Sequence, residues 1–121
     1  MIEKTPRLRK PRVDAQALYD ALVADELKQP GVAVGRALQN DVLQVSGKIF
    51  AFLKVGRLVV KLPAERVRAL VAGGAVPFTS GGRVIKEWVC VEALPGAAGE
   101  NLWRALIGEA RRYVAVLTAR R

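Results

Sequence analysis

One cysteine, no histidine and a glycine–lysine pair are where chemistry would first be sought in this chain. Cys90 stands between Val89 and Val91. A nucleophilic thiolate needs a partner base and an electropositive, partly open setting. Two flanking valines offer neither, so a packed core thiol is expected. The absence of histidine removes the commonest general base and metal ligand. Glu65, Glu87, Glu92, Glu100 and Glu109 are scattered, with no recognisable acid/base spacing. Gly47-Lys48 invites a phosphate-gripping reading, but such a loop opens a helix and follows its lysine with Ser or Thr. Here Ile49 and Phe50 follow in a strand-like pattern, so a hairpin turn is expected. Gly81-Gly82 before Arg83 could form an anion nest, though paired glycines more often make a turn. The sequence thus assigns no catalytic, cofactor-binding or metal-ligating residue, and predicts a non-enzymatic protein without cofactor or metal.

The remaining chemistry is charge. The chain of 121 residues carries 20 Lys and Arg against 11 Asp and Glu, a net +9. Such a balance points towards nucleic acid. Its distribution points elsewhere: residues 1–12 hold +4, residues 111–121 another +4, and the body between them only +1. The candidate nucleic-acid contacts are Arg7, Arg9, Lys10 and Arg12 at the N-terminus, with Arg57, Lys61, Arg83 and Lys86 on strands. Stacking would require exposed aromatics among those cations. Phe50, Phe52 and Trp88 are the candidates, although Phe50 and Phe52 alternate in an apolar strand and are expected to share a packed face.

The elements that must position these residues follow from hydrophobic period. Pro6 and Pro11 make residues 1–12 a flexible basic arm. Asp14 caps a predicted helix over about 15–28, with Leu18, Tyr19, Leu22, Val23 and Leu27 on its buried stripe and Asp20 and Glu26 off it. A segment near 32–38 leads into the sheet as an extra short strand, with Gly35 and Asn40-Asp41 as turn points. Three strands follow in a meander: "VLQVS", "KIFAFLKV" and "RLVVKL". In the last, Leu58, Val60 and Leu62 face one side and Arg57, Val59 and Lys61 the other. "PAERVRALVAGG" reads as a short helix, "PFTSGGR" as a loop and "VIKEWVCVEA" as a strand. A final helix spans about 100–118, lined by Leu102, Trp103, Leu106, Ile107, Ala110, Val114 and Leu117. The order α-β-β-β-α-β-α predicts an α+β fold, an antiparallel meander sheet with helices packed on it. The domain covers 13–118, and residues 119–121 form a basic tail.

Gly47, Lys48, Phe50 and Ala51, then Gly56, Arg57, Leu58, Lys61 and Leu62, then Glu65-Arg66-Val67, Pro77-Phe78 and Lys86-Glu87-Trp88-Val89 form an ordered set. In this pattern the chain resembles the TfoX N-terminal-domain-like and MmcQ/YjbR-like group of small bacterial proteins. The resemblance covers roughly residues 13–118. It implies a compact α+β domain with an antiparallel sheet. Some relatives are linked to regulation of bacterial competence, and some are labelled DNA-binding. It supplies no catalytic or cofactor residue.

The expectation is therefore a non-enzymatic interaction or regulatory domain whose partner is a protein or a nucleic acid. The alternative is a sequence-nonspecific DNA or RNA binder using the basic arms and the sheet cations. A lone cysteine and the lack of a signal-peptide pattern suggest the cytoplasm. No apolar run reaches the roughly 20 residues that span a bilayer. A monomer or weak homodimer is expected.

Overall fold

A computed structural model describes residues 13–37 and 39–120. Arg7, Arg9, Lys10 and Arg12 lie outside the described residues, as does Arg121. The elements run α1 (Ala15–Glu26), β1 (Val32–Ala37), β2 (Asn40–Val45), β3 (Lys48–Lys54), β4 (Arg57–Lys61), α2 (Ala64–Ala72), β5 (Val76–Ser80), β6 (Arg83–Glu92) and α3 (Gly96–Ala119). The strands form one antiparallel six-stranded sheet in the order β1-β2-β3-β4-β6-β5. The fold is α+β, with helices on a meander sheet, as the periodicity predicts.

Local chemistry sets the boundaries. The Asp14 carboxylate accepts the Ala17 N–H at 2.9 Å and starts α1. Ser46-Gly47, Val55-Gly56 and Gly81-Gly82 all take positive φ at both positions. This is the primed turn whose twist matches that of the strands it joins. Gly47 therefore turns a hairpin, and Lys48 opens β3.

Four features depart from the sequence reading. "PFTSGGR" is not a loop: Val76–Ser80 is an edge strand, and Gly81-Gly82 turn it into β6. Gly35 lies inside β1 paired with Val42, and Asn40-Asp41 begin β2. The last helix begins at Gly96 rather than Glu100, and its first glycines do more than punctuate. A Cβ on Gly99 would sit 1.8 Å from the Leu94 carbonyl oxygen, so only glycine fits there. On α1, Leu27 is 44% exposed, whereas Glu26 is buried. Glu26 faces α3 because Arg111 Nε reaches its Oε1 at 2.9 Å.

All three helices contribute to one core. Tyr19 and Leu22 of α1, Val67 of α2, and Trp103, Leu106, Ile107, Ala110 and Val114 of α3 pack on Leu43, Val45, Leu58, Val60, Val89 and Val91. Trp103 is fully buried, and its indole N–H donates to the Glu92 carbonyl at 3.1 Å, which satisfies its one polar atom. Ion pairs tie the helices along their outer edges. Arg104 joins Asp25 at 2.7 Å, and Arg66 grips Glu109 through two bonds of 3.0 and 3.1 Å. Arg111 is thus part of the body, so the positive surplus near the C-terminus is smaller than the sequence implies. No helix among the described residues is long and apolar enough to cross a membrane.

Candidate interaction surface

The opposite face of the sheet has no helix packed on it among the described elements, yet it holds buried side chains. Val42, Phe52 and Val59 are each at most 1% exposed there, packed with Ile49, Phe78, Trp88 and Cys90. Phe52 reaches this face through an irregularity. Between Leu43 and Gln44 the register advances one residue on β2 but two on β3, from Ala51 to Ile49. Phe50 is the extra residue, a β-bulge. It turns Phe50 and Ala51 together into the helix-side core and leaves Phe52 on the other side. The expectation that Phe50 and Phe52 share a face fails because strict alternation does not survive a bulge.

Aromatic side chains do the covering that helices do on the other face. The Phe52 and Phe78 ring centroids lie 6.0 Å apart at 83°, and those of Phe52 and Trp88 5.7 Å apart. Phe78 and Trp88 stand 6.2 Å apart. Phe52 is on β3 and Phe78 on β5, three strand spacings away, or about 14 Å in a flat sheet. The rings therefore lean inward over Val59 and Cys90, in the edge-on and tilted geometries that ring quadrupoles favour. Phe52 is sealed beneath them, while Phe78 and Trp88 remain partly exposed. Lys54 Nζ lies 5.8 Å from the Phe78 centroid, within cation–π range.

The strand cations predicted to form a site are only partly assembled. Arg57 and Lys61 both project from β4 on this face, but each has an acidic neighbour. Arg57 Nε donates to Glu92, and Lys61 Nζ lies 3.9 Å from Glu87. Lys86 is exposed two residues before Trp88 on β6, with no ion pair among the described residues. Arg83 is separate, at the β5–β6 turn. The sequence reading missed Phe78 and Lys54. Phe78 lies in the stretch that reads as a loop, although a Gly-Gly pair between Val76–Ser80 and a β-branched run is a hairpin signal.

Cys90 is half-buried on the same face, and burial pushes its thiol above the ordinary range despite the opposing influence of Arg57 and Lys54. A raised thiol is a poor thiolate donor. Tyr113 on α3 donates its hydroxyl to Glu87 at 2.9 Å; burial first, then this bond, raises its phenol. Among the described residues no three His, Cys, Asp or Glu side chains converge as a metal site would require.

No protein-family model, curated protein or solved structure matches this chain. The functional reading therefore rests on the surface itself.

Proposed function

We propose that this chain is a non-enzymatic interaction or regulatory domain of the TfoX-N/YjbR-like type, which meets its partner through the helix-free sheet face. One observation carries the reading. One side of the sheet is closed by three helices, while the other ends in two partly exposed rings, Phe78 and Trp88, with Lys54 and Lys86 beside them. Aromatic groups bordered by cations form contact surface at low entropic cost and suit a partner with apolar and acidic groups.

The test is affinity capture from bacterial lysate with the full chain, with and without nuclease. It compares the native protein with a Lys54→Glu, Lys86→Glu variant and with Arg112→Glu on exposed α3. A nuclease-resistant partner lost only in the sheet-face variant supports the proposal. A partner kept by that variant, or lost equally with Arg112→Glu, overturns it.

The second reading is a sequence-nonspecific nucleic-acid binder. Its support is the placement of Trp88 and Phe78, rings able to stack on bases, next to Lys54, Lys61 and Lys86. Pairing of Arg57 and Lys61 with carboxylates weighs against it, because each phosphate contact would compete with Glu92 or Glu87. Fluorescence anisotropy with a short single strand separates the two. Neutralising Arg7, Arg9, Lys10 and Arg12 to glutamine should abolish binding under the first reading. Under the second, binding persists, with a salt slope that reports several phosphate contacts.

A further inference from the structure

The sheet is not continuous at one end. The β3–β4 ladder stops at Ala51↔Val60, although β3 begins at Lys48 and β4 runs to Lys61. Beyond that point β3 pairs only with β2, as far as Val45↔Lys48, and β4 only with β6, at Lys61↔Trp88. The two halves of the sheet part there. The bulge at Phe50 supplies the reason, since it takes the start of β3 out of register with the end of β4.

The parting opens a cleft of about 610 Å³. Gln44, Lys48 and Ile49 line it from one half of the sheet, Lys61 and Trp88 from the other. Leu117 and Thr118, in the last turns of α3, line its end. The volume falls within the range of small-molecule sites. The lining is one-sided in charge: it contains two lysines and no carboxylate. Lys48 has no ion pair among the described residues. Lys61 has only Glu87 at 3.9 Å, and that carboxylate already accepts the Tyr113 hydroxyl. An indole wall, aliphatic side chains, an amide able to donate or accept, and two ammonium groups together define a complementary shape.

We infer that this split is a binding site for a small planar anion, an aromatic ring carrying a phosphate or a carboxylate. The ring lies along Trp88 and Ile49, and the anionic group sits between Lys48 and Lys61. The site would make the domain responsive to a metabolite at the margin of its helix-free face. It does not rest on the docking reading, which is tested at Lys54 and Lys86 rather than at the cleft lysines.

The test is a titration of the ¹⁵N-labelled full chain, followed by amide and indole N–H signals. The probes are adenosine 5′-monophosphate and 2-naphthoate, each paired with its neutral counterpart, adenosine and 2-naphthylmethanol. The protein has two indoles, so Trp103 in the core serves as an internal control for Trp88. At least one anion should shift the Trp88 indole together with Gln44, Lys48 and Thr118, and leave Trp103 in place. Its neutral counterpart should bind about tenfold more weakly, and Lys61→Gln or Lys48→Gln should remove most of that difference. The inference is overturned if neither anion moves the Trp88 signal at millimolar concentration. It is equally overturned if neutral and anionic probes bind alike, or if both lysine variants bind as the native chain does.

Discussion

Phe50 and Phe52 are two residues apart, both at most 1% exposed, and buried by different means. Phe50 lies in the helix-side core among side chains from all three helices. Phe52 lies on the other face, where Phe78 and Trp88 cover it. The comparison teaches that a sheet face can be closed in two ways. The helical layer buries the central strands beneath helix side chains, while at the β1 edge Val34 stays 48% exposed. A covering of leaning rings seals the central positions but leaves its own outer edges partly exposed, and there recognition can occur.

The largest expected effect tests that contrast directly. Phe50→Ala should destabilise the domain by about 3–5 kcal/mol, because fixed helices cannot collapse into the gap. Phe52→Ala should cost roughly 2–3 kcal/mol, since Phe78 and Trp88 can settle inward from the solvent side. Urea unfolding of both variants measures the difference. Equal losses would mean that the ring cover is as rigid as the helical layer.

The next effect concerns what holds the helical layer together. The Arg111 and Glu26 side chains are only 20% and 11% exposed. Arg111→Ala would leave the buried carboxylate without its cation and should cost about 2 kcal/mol. The more exposed Arg66–Glu109 pair should contribute less than about 1 kcal/mol on the same assay. A reversed ranking would remove the ion pairs from the account of helix docking.

Alkaline pH should act on the helical side through Tyr19. Burial, reinforced by Asp20 and Asp41, raises its phenol well above the ordinary range. The folded state thus keeps a proton that the unfolded chain loses near pH 10. Where the native state binds more protons, stability falls as pH rises. The contribution is fully present below about pH 10 and is lost above it, by at most about 1.4 kcal/mol per pH unit. Thermal unfolding of Tyr19→Phe should show a shallower alkaline decline, and an unchanged profile would place the loss elsewhere.

The smallest effect lies outside both faces. Val55 is 89% exposed and takes φ of 50° in the β3–β4 turn, a conformation that strains a β-branched residue. Val55→Asn should raise stability by about 0.5–1 kcal/mol, read as a higher denaturant midpoint.

Much of this molecule is legible from pattern. Leu58, Val60 and Leu62 alternate against Arg57, Val59 and Lys61 as the sequence suggests, because period two survives wherever the strand is regular. The stripe of α3 from Trp103 to Val114 is likewise readable from its helical spacing. The candidate surface was less legible. Pattern shows its cations, but it reads Phe78 as loop and puts Phe52 on one face with Phe50. A bulge leaves no mark in hydrophobic period beyond one extra apolar residue, and "IFAFL" is apolar at every position.

Composition and spacing by themselves determined the α+β class, the hairpin role of Gly47 and the apolar stripes, because these depend on interactions within a few residues. Tertiary structure alone decided which face the helices cover, that Glu26 is inside and Leu27 outside, and where the sheet parts. Those outcomes depend on contacts between residues as distant as Glu26 and Arg111 or Phe52 and Phe78. Local periodicity cannot encode them, because it says which residues seek burial and not which partner will bury them.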